Sequence, residues 1–230
     1  MIKLLLWDID GTLLDFKAAE KAAIKNCFGI FGIGECTDEM VSVYSEINRR
    51  HWEALERNEI TKQQVLTGRF REFFSLYGVD TSLAEAFNEE YQIRLGDTIV
   101  FFPFAKETVE SLRGKVIQCA VTNGTKRAQT RKLENSGLGE LFDYIFISED
   151  LGAEKPNREF FDRLLLQTGE YPKDEIMIVG DSLTGDMRGG NNAGIKTCFF
   201  NPSGVTDRRG AHIDYEIKSI SEVPALLGIE

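Results

Sequence analysis

The sequence predicts a doubly wound α/β fold, in which helices pack on both faces of a parallel sheet. The first observation is a set of four short apolar runs, each of which stops at small or polar residues. Strands that are buried on both faces of a parallel sheet read as continuous apolar runs. The second observation is that helical patterns follow these runs, and this alternation is typical of parallel sheets. The four runs are residues 4–7, 117–121, 144–147 and 176–179.

Three of the helical patterns have recognisable ends. A glycine directly after a helical pattern is a common stop, because glycine adopts the left-handed conformation without steric cost. Asn is a frequent cap of the first turn. The predicted helices are residues 126–136 with Gly137 as the stop, residues 158–167 behind Asn157, and residues 185–193 with Gly194 as the stop.

A long insertion separates the first two predicted strands. About a hundred residues lie there without a convincing strand, which is far longer than an ordinary crossover. Residues recur at helical spacing within it, and two pairs have the spacing of a capping box. The spaced residues are Met40, Tyr44, Ile47, His51 and Leu55, and the pairs are Thr61 with Gln64 and Ser82 with Glu85. We therefore expect a helical subdomain at residues 16–97, inserted into a core of residues 1–15 and 98–230.

Composition and charge limit the partners. The chain has 230 residues, of which 42% are hydrophobic, enough for a packed interior. Its 27 basic and 37 acidic residues give a net charge of −10, which repels a nucleic-acid backbone, so no nucleic-acid polymer is expected as a partner. A small anionic substrate is compatible with this charge, because a metal ion and one or two cations can dominate locally.

The sequence predicts neither a membrane span nor a zinc or disulfide site. The first apolar run is interrupted by Lys3 and ends at Asp8, so it is too short for a signal peptide or a span. We therefore expect a cytoplasmic protein with no membrane partner, and we leave the oligomeric state open. The cysteines lack CxxC spacing and are expected to be reduced and buried. They are Cys27, Cys36, Cys119 and Cys198.

Polar residues follow each predicted strand. In an open α/β sheet the ligand lies beyond the carboxyl ends of the strands, so these residues are expected to share one crevice. They supply three or four carboxylates, one lysine, a hydroxyl group and several backbone amides next to glycine. The segments are Asp8-Ile9-Asp10-Gly11-Thr12, Thr122-Asn123-Gly124, Lys155-Pro156, and Gly180-Asp181-Ser182 followed by Asp186.

Such a cluster favours a hard divalent cation. Carboxylates at close range repel one another unless a cation lies among them, and Mg²⁺ prefers oxygen ligands. Mg²⁺ also binds phosphate oxygens, and Lys155 with the hydroxyl of Thr122 could neutralise the remaining oxygens of a phosphoryl group. The pattern therefore predicts Mg²⁺ as the cofactor and phosphoryl transfer as the chemistry.

The four motifs resemble, in their order, those of the haloacid dehalogenase-like hydrolase superfamily. They are DxDGT, a strand that ends in TNG, a KP lysine and GDxxxxD, and they span nearly the whole chain. The helical insertion after the first motif resembles the helical cap of one subclass. The resemblance implies a Rossmann-like core with an inserted α-helical cap, and a phosphatase that acts on a small phosphorylated metabolite.

The resemblance also implies catalytic roles for individual residues. Asp8 resembles the nucleophile that forms an aspartyl-phosphate. Asp10 resembles the general acid/base that protonates the leaving alcohol and then activates water. A covalent intermediate divides one difficult displacement into two easier ones. Asp10 also favours a phosphatase over a dehalogenase, because the dehalogenase members lack this acid/base.

The other motif residues are implied to bind the phosphoryl group and the metal. The implied phosphate-binding residues are Thr122, Asn123 and Lys155, of which Thr122 and Lys155 are also counted as catalytic. The implied metal ligands are the carboxylates of Asp8 and Asp181 and the backbone carbonyl of Asp10. Asp186 is implied to orient water or Lys155 from behind these ligands.

Among the phosphatases, the chain resembles small nucleotidases that act on pyrimidine nucleoside monophosphates. Segments 10–20, 60–74 and 121–124 carry this resemblance. Pro103-Phe104 departs from the Pro-Gly pair that is frequent after the cap, which leaves the linker geometry open. The cap is then expected to select the base, and its candidate contacts are Phe16, Asn26, Tyr44 and Phe70.

Several alternatives stay open at this stage. A sugar-phosphate or phosphoglycolate phosphatase would share these motifs. So would a phosphosugar mutase, although family mutases tend to carry Val at the position of Thr12. A two-component receiver domain also places acids, Thr and Lys around Mg²⁺, but it needs no helical cap. A binding-only relative is disfavoured because every expected catalytic position is filled.

Single residues also have simpler interpretations. An Asp or Thr after a strand is commonly a turn residue. Lys155 could be a solvated loop lysine, and Asp186 could be an acid at a helix N-terminus. In the insertion, His51 and Trp52 are interpreted as packing or surface residues, and Arg69 is interpreted as part of a solvated helix face.

Overall fold

The computed structural model describes residues 1–229 and contains a six-stranded parallel sheet. The strands are β1 (Leu4–Trp7), β2 (Ile117–Thr122), β3 (Tyr144–Ile147), β4 (Ile176–Gly180), β5 (Lys196–Phe200) and β6 (Tyr215–Ile217). They lie in the order β3-β2-β1-β4-β5-β6, and all neighbours are parallel. The predicted fold class, a doubly wound parallel sheet with an inserted helical segment, is confirmed.

The strand order changes direction at β1, and this change creates the crevice. The chain builds outwards from β1 through β2 and β3, then returns to place β4 on the other side of β1. The register aligns Trp7 of β1 with Ala120 of β2 and Val179 of β4. The residues that follow these strands therefore begin at a similar level, at the position where an open α/β sheet binds its ligand.

The central strand β1 is buried on both faces. Successive side chains of a strand point to opposite faces, so Leu5 and Trp7 join one apolar cluster while Leu4 and Leu6 join another. All four side chains are fully buried. This burial explains why β1 reads as an uninterrupted apolar run, and it gives the residue after β1 a rigid support.

Four helices form the insertion between β1 and β2. They are α1 (Phe16–Phe31), α2 (Asp38–Glu56), α3 (Lys62–Leu76) and α4 (Ala84–Asp97). Their apolar faces enclose a core of their own that is rich in aromatic rings, with Phe28, Tyr44, Phe70, Phe73, Phe74, Phe87 and Tyr91 all buried. On this basis we propose that residues 16–97 form an inserted domain and that residues 1–15 and 98–230 form the core domain.

One of the two predicted capping boxes is present. Thr61 accepts a hydrogen bond from the backbone of Gln64, and the Gln64 side chain accepts one from the backbone of Thr61. The capping box predicted for Ser82 and Glu85 is wrong. Ser82 lies inside a short 3₁₀ turn before α4, and its backbone N–H donates to Asp80 at 2.9 Å. Asp80 is therefore the cap, and it serves the turn rather than α4.

Six further helices follow the insertion. They are α5 (Ala105–Ser111), α6 (Lys126–Ser136), α7 (Ser148–Leu151), α8 (Arg158–Thr168), α9 (Arg188–Ala193) and α10 (Val223–Leu226). As predicted, α6 ends at Gly137 and α8 begins after Asn157. The helix predicted at residues 185–193 is divided, because Leu183–Met187 form a π-helical turn before α9.

Two strands and one linker conformation were not predicted. The apolar run of β5 is shortened by Lys196 and Thr197, and β6 is an edge strand of three residues, two of them exposed. Neither strand has the long apolar run of a strand buried on both faces. Before α5, Phe104 adopts φ 64°. The residue that departs from the Pro-Gly pair thus takes a conformation in which glycine would be unstrained.

The described residues contain no helix that combines the length and the apolar character needed for a membrane span. All four cysteines are buried free thiols. Burial raises the pKa of the thiols, as for Cys36 to about 11.

Candidate active site

A buried lysine joins two carboxylates at the base of the crevice. Lys155 Nζ donates to Asp8 Oδ1 and to Asp186 Oδ1, both at 2.7 Å, and to the carbonyl oxygen of Val121 at 2.9 Å. None of the three charged residues exposes more than 7% of its surface. The lysine therefore fixes both carboxylates, and its interpretation as a solvated loop residue is wrong.

Burial and neighbouring charges shift the pKa values of this group. Burial raises the pKa of Asp8 to about 7, and Asp186 adds to this rise while Lys155 opposes it. Burial alone would lower the pKa of Lys155, but Asp186 and Asp8 outweigh this effect and raise that pKa above its ordinary value. Lys155 therefore stays an ammonium group between the two acids.

Thr12 and Gly11 bring Asp181 towards Asp8. The buried hydroxyl of Thr12 donates to Asp8 Oδ2 at 3.0 Å and lies 3.4 Å from Asp181 Oδ1. Gly11 has φ +93°, and a β-carbon at this position would lie 2.4 Å from Asp181 Oδ2. The glycine of the first motif is therefore required both by its backbone conformation and by the approach of Asp181.

Three carboxylates lie close enough to share a cation. One oxygen from each of Asp8, Asp181 and Asp186 lies within 4.8 Å of the other two. Desolvation and the like charges of Asp8 and Asp186 raise the pKa of Asp181, and because Asp181 is an exposed residue, solvent moderates this rise. A divalent cation would relieve this repulsion, and carboxylate oxygens are suitable ligands for Mg²⁺. The donor set therefore fits this metal.

Asp186 is held from behind by the backbone. Its Oδ2 accepts a hydrogen bond from the N–H of Ser182 at 3.1 Å. A β-carbon on Gly180 would lie 2.2 Å from the same oxygen. The last residue of β4 must therefore be glycine if the carboxylate of Asp186 is to reach Lys155.

Thr122 and Asn123 lie at the end of β2 and differ in their contacts. Thr122 Oγ1 accepts from the N–H of Gly124 at 3.1 Å, which leaves its O–H as a donor. The side chain of Asn123 binds the backbone of Lys155, with Nδ2 to the carbonyl oxygen at 2.7 Å and Oδ1 to the N–H at 2.9 Å. Asn123 thus positions the lysine, and a phosphate contact from Asn123 would have to come from its backbone.

Asp10 faces helix α6, a contact that was not predicted. Lys132 Nζ forms an ion pair with one carboxylate oxygen, and Gln129 Nε2 donates to the other at 2.6 Å. Both residues are 1% exposed. The ammonium group also lies 5.2 Å from the ring centroid of Phe16. The available sequence signal is that Gln129 and Lys132 are three residues apart, and so lie on one face of α6 with Ala128 and Leu133.

A cavity of about 180 Å³ connects the core motifs with the insertion. All seven site residues predicted from the sequence line it, namely Asp8, Asp10, Thr122, Asn123, Lys155, Asp181 and Asp186. From the insertion, the lining residues are Phe16, Trp52, Glu56, Arg69, Gln92 and Leu95. The structure therefore brings the predicted residues together and adds a wall that the motifs do not contain.

Most of the candidate contacts for a base lie elsewhere. Tyr44 and Phe70 are fully buried in the aromatic core of the insertion, and Asn26 is exposed away from the cavity. Of the four candidates, Phe16 alone lines the cavity.

The structure tests the interpretation of one insertion residue, Arg69, and shows that it is wrong. Trp52 lines the cavity, and its interpretation as a packing or surface residue stays a prediction. Arg69 is 1% exposed, so it does not lie on a solvated helix face. Its neighbours at a spacing of four residues, Val65 and Phe73, are both fully buried. Arg69 therefore belongs to the buried stripe of α3.

The insertion contacts the core beside the cavity. Thr184 Oγ1 donates to Glu56 Oε2 at 2.5 Å, and Lys62 Nζ donates to Ser148 Oγ at 2.9 Å. Burial raises the pKa of Glu56 to about 7, and Asp186 adds to the rise while the bond from Thr184 opposes it. Glu56 thus links α2 to the turn that carries Asp186.

The fold and the site define a doubly wound α/β protein with a carboxylate-rich crevice under a helical insertion. Residues 5–200 match the family of haloacid dehalogenase-like hydrolases, and the chain belongs to this family.

Similar proteins share nearly the full length of the chain. It is 34% identical over 222 residues to the pyrimidine 5'-nucleotidase PynA of Streptococcus pneumoniae (strain ATCC BAA-255 / R6), covering 96% of this chain and 93% of that protein. It is 28% identical over 223 residues to the pyrimidine 5'-nucleotidase YjjG of Escherichia coli (strain K12), covering 97% and 96%. The crystal structure of the HAD-hydrolase YfnB from Bacillus subtilis bound to magnesium has a TM-score of 0.91 and 33% identity, covering 99% of both chains.

The raised pKa of Glu56 predicts a pH-dependent stability. The folded protein holds the pKa at about 7 against an ordinary value of 4.5, so folding favours the protonated acid. The free energy of unfolding should therefore fall as pH rises through this interval, by on the order of 2 to 3 kcal/mol. Glu56→Gln removes this titration, so thermal unfolding without metal should give a Tm several degrees above wild type at pH 8 and a similar Tm at pH 4.5.

The matched control is Glu110→Gln, an exposed glutamate on α5. Glu110→Gln should leave the difference between the Tm at pH 8 and the Tm at pH 4.5 the same as in the wild type. A Glu56→Gln protein that is less stable than wild type at pH 8 would contradict this explanation.

Proposed function

We propose that the protein is a Mg²⁺-dependent phosphomonoester hydrolase that forms an aspartyl-phosphate on Asp8 and acts on pyrimidine nucleoside 5'-monophosphates. The observation that carries this proposal is the placement of the Asp8 carboxylate in the cavity. One of its oxygens is held by Lys155 and the other by Thr12. A carboxylate fixed in this way needs little reorganisation before it attacks a phosphorus atom in the cavity.

In the first half-reaction, an oxygen of Asp8 attacks phosphorus, and the bond from phosphorus to the alcohol oxygen breaks. Asp10 donates the proton that the departing oxygen takes up. The carboxylate that remains on Asp10 is stabilised by the buried side chains of Lys132 and Gln129. Lys155 and the free O–H of Thr122 balance the charge on the phosphoryl oxygens.

In the second half-reaction, water attacks the phosphorus of the aspartyl-phosphate. Asp10 takes a proton from this water, and the bond from phosphorus to the Asp8 oxygen breaks. The Asp8 carboxylate is restored, inorganic phosphate leaves, and Asp10 carries a proton for the next cycle. One residue can serve as acid and then as base, because the first half-reaction leaves Asp10 as a carboxylate and the second half-reaction returns its proton.

The proposed Mg²⁺ would be held by the carboxylates of Asp8 and Asp181 and by the backbone carbonyl of Asp10, with Asp186 behind them. When bound, the ion cancels the repulsion between the phosphoryl group and the nucleophile. The fit of the carboxylate oxygens and the magnesium bound to the similar protein YfnB support this assignment.

The choice of substrate depends on the insertion. The motif residues surround the phosphoryl group, so they cannot distinguish one leaving alcohol from another. Phe16, Trp52 and Leu95 offer apolar surface to a planar ring, while Arg69 and Gln92 offer polar groups. Two similar proteins are pyrimidine 5'-nucleotidases, which supports a pyrimidine nucleotide as the substrate.

Loss of the nucleophile or the metal should abolish turnover. Asp8→Asn cannot form the acyl-phosphate, and a chelator removes the ion that cancels charge repulsion. We expect no measurable phosphate release from dUMP in either case, with activity restored to the chelated wild type by added Mg²⁺. Asp162→Asn, an exposed aspartate on α8, is the control. Wild-type turnover by Asp8→Asn, with deamidation excluded by mass, would show that the nucleophile is misassigned.

Lys132→Met should impair protonation of the leaving group. Loss of a hydrogen bond to a charged group is worth about 1.5 to 3 kcal/mol, so kcat/KM for dUMP should fall about 10- to 100-fold. Hydrolysis of p-nitrophenyl phosphate should fall less than about threefold, because its phenolate leaves without a proton. Lys126→Met, on the exposed side of α6, is the control. Equal losses on both substrates would assign Lys132 to folding or phosphate binding instead.

A substrate panel tests the leaving-group class. At one Mg²⁺ concentration, we expect kcat/KM for dUMP, UMP and dTMP to exceed that for glucose 6-phosphate and phosphoglycolate by about tenfold or more, since stacking of a base contributes about 1 to 3 kcal/mol. AMP should also be a poorer substrate than dUMP or UMP, because the second ring of a purine needs more room in a small cavity. If a sugar phosphate or phosphoglycolate leads by that margin, the nucleotidase assignment fails while the phosphatase assignment stands.

A further inference from the structure

Arg69 is a buried cation without a direct acidic partner among the residues that the structure describes. Its residue surface is 1% exposed. Its guanidinium donates only to neutral amides, and Nε is buried with no hydrogen-bond partner in residues 1–229. A buried charge with an unused donor carries a desolvation cost that a bound acceptor would offset.

The rest of the guanidinium is held in place by a polar network. Arg69 Nη1 donates to Asn48 Oδ1 at 2.6 Å, and Nη2 donates to Asn88 Oδ1 at 3.1 Å. Asn48 in turn donates to Glu20 Oε1 at 2.8 Å, and Gln92 donates to Asn88 at 3.1 Å. The orientation of Arg69 is therefore fixed before any ligand binds, and Asn48 connects it to the carboxylate of Glu20.

Arg69 borders the cavity beside apolar surface. Gln92 lines the same cavity, as do Phe16, Trp52 and Leu95. This combination of a fixed donor with two aromatic side chains and a leucine suits a planar ring that carries a hydrogen-bond acceptor at its edge.

A second residue that lines this cavity also has an unpartnered polar atom. Gln129 is 1% exposed, its Nε2 binds Asp10, and its Oε1 has no hydrogen-bond partner in the described part of the chain. Because Asp10 protonates the leaving oxygen, Gln129 lies on the side where the sugar attached to that oxygen must sit. Gln129 Oε1 would therefore accept a hydrogen bond from a hydroxyl group of that sugar.

We propose that Arg69 is the specificity residue for the base, and that its guanidinium binds a ring carbonyl of the pyrimidine. A neutral carbonyl fits better than a second anionic group, because Glu20 already balances the guanidinium through Asn48. This inference rests on the proposed function, and it names the residue that would select its substrate.

The test measures binding rather than turnover. In the Asp8→Asn background with Mg²⁺, calorimetry compares dUMP with 2-deoxyribose 5-phosphate, which shares the phosphate and the sugar but lacks the base. Arg69→Met should weaken the binding of dUMP at least tenfold and should change the affinity for 2-deoxyribose 5-phosphate less than threefold. Arg71→Met is the matched control, since Arg71 lies on the same helix but is exposed and paired with Glu85.

A second comparison does not depend on whether Arg69→Met folds. The Asp8→Asn protein should bind dUMP at least tenfold more tightly than the 5'-phosphate of a phenyl C-deoxyriboside, whose ring stacks but carries no carbonyl. Equal affinity for the two ligands would overturn the proposal. The proposal would also be overturned if Arg69→Met weakened the binding of phosphoglycolate more than that of dUMP, because the guanidinium would then bind a carboxylate.

The two proposals fail separately. If dUMP binds with the expected dependence on Arg69 while the wild-type protein releases no phosphate from any ester, the base site stands and the phosphatase proposal falls. If esters are hydrolysed but dUMP binding does not respond to Arg69→Met, the base site falls and the phosphatase proposal stands.

Discussion

The rest of the site depends on the two buried ion pairs that the ammonium group of Lys155 forms with Asp8 and Asp186. Charges at this depth are costly unless ion pairs or hydrogen bonds compensate them, and removal of one member of this group would leave the others uncompensated. This group of charges explains why two of the motif residues are needed. The side chain of Asn123 fixes the backbone of Lys155, and Gly180 leaves the space through which the Asp186 carboxylate reaches the lysine. The motifs thus contain the charged residues and also the uncharged residues that hold them in place.

Two segments outside the motifs complete the cavity, and they have different roles. Helix α6 places Gln129 and Lys132 against Asp10, so it acts on the residue that we propose as the proton donor. The insertion contributes the wall that contains Arg69 and Trp52. In this account the motif residues perform a phosphoryl transfer that relatives can share. The wall and α6 determine which alcohol leaves and how it receives its proton.

The sequence was sufficient for strands β1 to β4 and for the residues that meet in the cavity, because the ends of neighbouring parallel strands share one edge of a sheet. It was not sufficient for Lys132, which is 122 residues from Asp10 and reaches it only through the packing of α6. Arg69 carried a usable signal, since Val65 and Phe73 flank it at helical spacing, but its charge suggested solvent. Strand β6 escaped prediction because two of its three residues are exposed and leave no apolar run.

The central claim is that phosphate passes through a covalent bond to Asp8. The direct measurement is an acid quench during steady-state hydrolysis of dUMP, followed by borohydride reduction and peptide mass spectrometry. Reduction converts an aspartyl-phosphate to homoserine, so the account predicts homoserine at position 8 in the wild-type protein and none in protein quenched before substrate is added. Phosphate release without homoserine at position 8, or with homoserine at another aspartate, would contradict the account.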